Sequence, residues 1–150
     1  MKLQKVTIGL LLLAFCSLAN AAERKYIVNP RPAGLTGLPF SDAVMVGDAL
    51  YIAGHIGFDP KTGQPPADAE QEARLVMDGI KKTVQAAGFS MDDVVNIQVF
   101  CTDLKFYETF NSVYKTYFNG DFPARAFIGT DKLLRGAKYE VMGIAVKRGK

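Results

Sequence analysis

With 150 residues, 22% charged side chains and a formal charge of only +3, the chain has the length of one domain and no sign of the concentrated basic stripe that nucleic-acid binding requires. A single histidine excludes metal sites and mechanisms that take two histidines from one chain. No Gly-rich phosphate loop and no nucleophile elbow is present.

The first residues combine a positive n-region (Lys2, Lys5), an apolar run from Val6 to Phe15 and the small-residue sequence Ala19-Asn20-Ala21, which is the pattern of a cleaved signal peptide over residues 1–21. Its apolar core is shorter than the roughly 20 residues of a membrane-spanning helix. Bulky Phe15, directly before Cys16, argues against lipid attachment there. The expectation is an exported protein, periplasmic or secreted, with no membrane contact after cleavage. It would comprise residues 22–150 as one domain of 129 residues and carry a net charge of +1, because Lys2 and Lys5 leave with the signal. Cys101 is then the only cysteine, which excludes an intrachain disulfide and a thiolate metal cluster.

Pro30, Pro32, Gly34, Gly37 and Pro39 make the stretch from Asn29 to Pro39 loop-like. Strands are expected at Ala43 to Val46 and Ala49 to Ala53, joined as a hairpin by Gly47-Asp48. Asp59 to Gly63 has the composition of a tight turn, and Pro65-Pro66 stiffens the approach to a helix. That helix spans Asp68 to Ala87, with Ala73, Val76, Met77, Ile80, Val84 and Ala87 at helical spacing, an Asp68/Gln71 capping box and Gly88 as a left-handed stop. The next strand is Val94 to Cys101, whose alternation groups Val95, Ile97, Val99 and Cys101 on an apolar face and makes Cys101 a buried, inert thiol. Asp103 can cap a second helix with the stripe Phe106, Phe110, Val113, Tyr114 and Tyr117, read as core and stopped by Asn119-Gly120. Strands at Ala124 to Gly129 and Tyr139 to Val146, separated by a basic loop from Asp131 to Lys138, complete the order. No repeat, low-complexity tract or charge block marks a linker. The order favours an α+β layer with both helices on one face of a mixed sheet.

Two side chains are candidates for chemistry. His55 follows a strand end, where a lone histidine is more often structural than cleft-lining. Arg125 sits inside the apolar sequence Pro123-Ala124-Arg125-Ala126-Phe127-Ile128, where a guanidinium needs a partner. That partner is either a protein carboxylate, with Glu140 on the next strand the obvious one, or the carboxylate of a ligand gripped by the planar fork.

From about Pro39 to Arg148 the chain resembles the RidA/YjgF family of enamine and imine deaminases. The resemblance is carried by Ala53-Gly54-His55-Ile56, Asp59-Pro60-Lys61-Thr62-Gly63, Ala86-Ala87-Gly88, Phe110-Asn111-Ser112-Val113-Tyr114, Phe122-Pro123-Ala124-Arg125, and Tyr139-Glu140-Val141 leading into Ile144-Ala145-Val146. It implies a chorismate-mutase-like fold, a homotrimer with three pockets at the subunit interfaces, and hydrolysis of short 2-imino acids such as 2-iminobutanoate and 2-iminopropanoate to 2-keto acids and ammonia. No cofactor or metal is implied. Carried onto this chain, Arg125 binds the substrate carboxylate with help from the Phe127 N–H, Glu140 orients or activates the water, and Gly54, Asn111 and the Phe40 position line the pocket.

Three positions depart from the family pattern. Phe40 stands where Tyr is usual, Ala53 where Ser is common and Phe127 where Cys is common, each with a loss of polarity or space. These departures motivate an alternative: a non-catalytic module on the same trimeric scaffold that binds a small carboxylate or a protein. Ribonuclease activity, attached to some relatives of this family, has little support from a near-neutral chain with one histidine.

Overall fold

Among the described residues one pair of neighbouring strands runs parallel, and that pair positions Arg125. The computed structural model describes residues 23–30 and 37–148; the expected signal peptide, residues 1–21, lies outside them. Six strands, β1 (Arg24–Ile27), β2 (Ala43–Val46), β3 (Ala49–Ile56), β4 (Val94–Cys101), β5 (Ala124–Gly129) and β6 (Tyr139–Val146), form one mixed sheet in the spatial order β1-β2-β3-β6-β4-β5. Among these six strands β4 and β5 alone pair in parallel, with Ile97 opposite Arg125. A parallel neighbour demands a crossover, and the segment between them supplies it as helix α2 (Tyr107–Tyr114).

Helix α1 (Ala69–Ala86) forms as its spacing dictates. Asp68 accepts from the Gln71 N–H at 2.7 Å, which satisfies one of the free donors at the helix start. Gly88, at φ 80°, turns the chain out of the helix in a conformation a side chain would strain. The buried face of α1, including Val76, Met77, Ile80 and Val84, packs on Leu50 and Ile52 of β3 and Val141 and Ala145 of β6. Burying each such side chain is worth about 1.5–3 kcal/mol. The second helical segment is broken into pieces. Asp103 caps a 3-10 turn at Leu104–Phe106 by accepting from the Lys105 N–H, and a further 3-10 turn at Lys115–Tyr117 follows α2. Phe110, Val113 and Tyr114 are buried, whereas Phe106 and Tyr117 are half-buried at the margin.

Three differences from the sequence reading have local causes. Strand β1 was not expected, because Arg-Lys-Tyr-Ile offers one buried residue, Ile27; pairing with β2 makes it a strand. Strand β3 runs to Ile56 instead of Ala53, past a bulge at which Ile52 pairs with Gly143 and His55 with Val141. A second irregularity in β4, between Val94 and Asn96, turns Val95 out to 46% exposure and leaves Val94, Ile97, Val99 and Cys101 buried. Val95 is therefore not on the apolar face; a bulge shifts the two-residue alternation by one.

Both helices lie on one sheet face. The other face carries Tyr51, Val95, Ile128, Met142 and Val146 exposed. Among the described residues no helix is long and apolar enough to cross a membrane.

One buried carboxylate ties the layers together. Glu72 of α1 is fully buried; its Oε1 accepts from the N–H groups of Lys138 and Tyr139 at 2.5 and 3.0 Å, and its Oε2 lies 3.2 Å from Lys138 Nζ. Removing it would orphan two backbone donors and leave the Lys138 ammonium to the Pro66 carbonyl at 3.0 Å. Glu72→Ala is expected to lower the free energy of unfolding, read by urea denaturation, by about 3–5 kcal/mol.

Candidate active site

Arg125 lies on edge strand β5, and its alternation with Ala124 and Ala126 turns it, like Phe127, toward α2. There Tyr107, Asn111 and Tyr114 recur at i, i+4 and i+7 and so line one side of the helix. Arg125 Nη2 donates to Asn111 Oδ1 at 2.8 Å. Its Cζ lies 4.6 Å from the ring centroid of Tyr114, 5.7 Å from that of Phe127 and 5.8 Å from that of Tyr107. The cation is thus held by one neutral oxygen and aromatic faces, each face worth about 0.5–2 kcal/mol. Among the described residues no carboxylate comes within ion-pair distance of it.

Arg125, Tyr107, Asn111 and Tyr114 border a cleft of about 440 Å³ that Glu108 and Lys115 also line. The Tyr114 hydroxyl is buried without a hydrogen-bond partner among the described residues, and burial pushes its pKa up to about 12, with the Arg125 charge opposing. Phe127 does not line the cleft. Its ring packs edge-on against Tyr107 at 4.9 Å and Phe110 at 5.6 Å, clamping β5 to α2.

Glu140 is elsewhere. It alternates with buried Tyr139 and Val141 and so lies on the sheet face away from the helices. It pairs with Ile56 of β3 and Phe100 of β4, whereas Arg125 is level with Ile97 and Gly143. Two strand spacings and three residues separate the pair, roughly 14 Å between Cα atoms on opposite faces. Of the two partners open to Arg125, the Glu140 carboxylate does not form an ion pair with it within the chain. Gly54 is instead the neighbour of Glu140: a Cβ on Gly54 would overlap Glu140 Oε1 and lie 3.0 Å from its carboxyl carbon. Burial raises the pKa of the half-buried Glu140 carboxyl above the ordinary carboxylate value.

The remaining candidates are distributed around these halves. Phe40 is half-exposed and borders a separate hollow of about 500 Å³ together with Val28 and Leu38. Ala53 adjoins Gly54 in the bulge. His55 points to the helix side, where Nδ1 donates to the Ala53 carbonyl at 2.7 Å and Nε2 lies 2.8 Å from Thr83 Oγ1. Cys101 is fully buried, its thiol pKa pushed up by burial, and Sγ lies 3.1 Å from the Asp103 carbonyl. Sequence reasoning missed Tyr107 and Tyr114 as neighbours of Arg125. Their spacing about Asn111 was the available signal, but the aromatic stripe was read as core alone. No group of three or more potential metal ligands occurs among the described residues.

The family model described as Endoribonuclease L-PSP matches residues 31–147. A mouse protein named 2-iminobutanoate/2-iminopropanoate deaminase is 37% identical over 125 residues, covering 83% of this chain and 92% of its own. Among solved structures, the Escherichia coli YjgF gene product superposes with a TM-score of 0.75 at 36% identity, covering 83% of this chain and 99% of its own. Escherichia coli TdcF with bound serine gives 0.71 at 31% identity, with 86% and 99% covered.

The raised Glu140 pKa has a sign that can be measured. A carboxyl that holds its proton more tightly in the folded state than in the unfolded one adds its stability at acid pH and loses it as pH rises through the folded value. Glu140→Gln should therefore raise the melting temperature at pH 7 and leave it unchanged near pH 3, as followed by calorimetry at the two pH values.

Proposed function

Because the chain belongs to the RidA/YjgF (endoribonuclease L-PSP) family, we propose that it hydrolyses short 2-imino acids to 2-keto acids and ammonia, with Arg125 as the carboxylate anchor. The observation that carries this reading is the state of Arg125: a guanidinium in a cleft, fixed by Asn111 and aromatic rings, with no carboxylate among the described residues as counter-ion. A ligand carboxylate supplies the missing charge bidentately.

The chemistry asks little of the protein. The imine carbon is already electrophilic; water adds there while a base carries one of its protons to the nitrogen, and the carbinol then passes its hydroxyl proton to the departing nitrogen as it collapses to the ketone, so that both water protons leave on ammonia. No protein nucleophile is required. Orientation of the imine beside a held water supplies most of the gain, and a general base adds about 10²–10⁴-fold. Glu140, whose burial lifts its proton affinity, suits that role.

Arg125 and Glu140 cannot meet within one chain, so the proposed site lies between copies. Each pocket takes Arg125 and Asn111 from one subunit and Gly54 and Glu140 from its neighbour. Closed association as a homotrimer is supported by Tyr51, Ile128, Met142 and Val146, exposed among the described residues on the sheet face away from the helices, and by the family. Phe40 and Ala53 would make this pocket less polar, favouring short apolar substrates. The positive n-region, apolar run and Ala19-Asn20-Ala21 support export, to the periplasm or beyond.

The test generates 2-aminoacrylate in situ and follows pyruvate. The protein lacking residues 1–21 should accelerate its release, and Arg125→Ala should return the rate to background. Binding of short keto acids by calorimetry without any turnover would favour the non-catalytic module that the less polar Phe40, Ala53 and Phe127 suggest. RNA cleavage lost in Arg125→Ala would favour the activity in the family model's description.

A further inference from the structure

His55 lies on the helix side of β3 and Glu140 on the open side of β6, yet one piece of backbone touches both. That piece is the bulge, where three steps of β3 from Ile52 to His55 oppose two steps of β6 from Gly143 to Val141. A bulge takes a residue out of the ladder and leaves its polar groups to find partners elsewhere. The Ala53 N–H donates to the Asp42 carbonyl at 2.9 Å, and the Ala53 carbonyl accepts from His55 Nδ1 at 2.7 Å.

The ring is fixed in turn from the helix. Nε2 lies 2.8 Å from Oγ1 of Thr83, a fully buried residue of α1 whose oxygen also accepts from Asn29 Nδ2 at 2.8 Å. A Cβ at Gly79 would lie 3.3 Å from His55 Cδ2, so the ring rests flush on the helix backbone side. The chain of contacts thus runs Thr83, His55, Ala53 carbonyl, Gly54, Glu140. Its last link is tight: Gly54 has no room for a Cβ because the Glu140 carboxylate occupies that space. Movement of the Gly54 backbone therefore moves the surface on which the carboxylate rests.

We propose that His55 is a positioning residue for Glu140, acting through its hydrogen bond to the Ala53 carbonyl at the bulge. The inference rests on the reading of Glu140 as the base of imine hydrolysis. It assigns His55 no contact with substrate and no proton transfer. A misplaced base lowers the chemical step and spares the carboxylate anchor, so the effect falls on kcat and leaves KM nearly alone.

Three variants separate this role from simple packing: His55→Leu, which loses both ring contacts; His55→Asn, whose Nδ2–H occupies the place of ring Nδ1–H; and Thr83→Val, which cuts only the helix end. Each is read three ways: kcat and KM for 2-aminoacrylate-derived imine, the titration of Glu140 by carboxyl NMR assigned against Glu140→Gln, and urea unfolding. His55→Leu should lower kcat about tenfold or more, with KM within about twofold, since a full 1 Å displacement costs about 10²-fold. Its Glu140 midpoint should fall toward the ordinary carboxylate value as the loosened carboxylate gains water. His55→Asn should restore both. Thr83→Val should lose stability while keeping both. A folded His55→Leu with unchanged kcat and unchanged Glu140 titration overturns the proposal. Should His55→Leu not fold, loss of kcat and a shifted midpoint in His55→Asn overturn it instead. If the wild-type protein turns over no imine, the Glu140 midpoint in His55→Leu still decides: a shift upholds the positioning role while the activity reading fails, and no shift ends both.

Discussion

The buried carboxylate of Glu72 decides where strand β6 begins. Its two backbone acceptor contacts seize the N–H groups of Lys138 and Tyr139, the last residue before the strand and the first within it. Because side chains alternate along a strand, a slip of one residue there would drive Glu140 into the core and expose Tyr139. Two features farther along the sheet depend on the same register: the β3 bulge, which brings Gly54 against Glu140, and the close approach of Gly143 to Ile97, whose Cδ1 would lie 2.9 Å from a Gly143 Cβ. A helix carboxylate with no exposure thus sets the position of a second carboxylate on the far side of the sheet. Stability and candidate chemistry share one constraint.

Arg125 is governed by a different balance. An edge strand next to a crossover helix leaves space between β5 and α2, and the protein fills it with flat rings in place of a counter-ion. Aromatic faces stabilise a cation without neutralising it, so the charge stays available to an anion that enters the cleft. Asn111 adds direction by fixing one guanidinium nitrogen. Phe127 does its part from behind, locking β5 to α2 through Tyr107 and Phe110, so that its bulk rigidifies the anchor more directly than it narrows the cleft.

Much of the fold was legible because it is local. The α1 stripe, the Asp68 cap and the existence of strands β2 to β6, though not the reach of β3 past its bulge, follow from spacing, and Arg125 stood out as a charge among apolar neighbours. What escaped was set by partners distant in sequence. Arg24 to Ile27 becomes a strand only because β2 lies beside it, and Val95 leaves the core only because β6 forces a bulge. The Arg125 to Glu140 ion pair failed for the same reason. Alternation between Tyr139 and Val141 already placed Glu140 away from the core, but the apolar sequence around Arg125 gave no hint of its face until the pairing of β5 with β4 was known.

In the proposed trimer each half of the site is incomplete without a neighbour, and this is the claim on which the function rests. The most direct measurement mixes two inactive proteins, Arg125→Ala and Glu140→Gln, in equal amounts under conditions that exchange subunits, and follows imine hydrolysis. If every pocket takes Arg125 from one subunit and Glu140 from the next, random assembly should return about a quarter of the wild-type rate, since each pocket has an even chance of an intact contribution from each side. Activity no greater than that of the two variants measured separately, after exchange has been verified, would contradict a shared site.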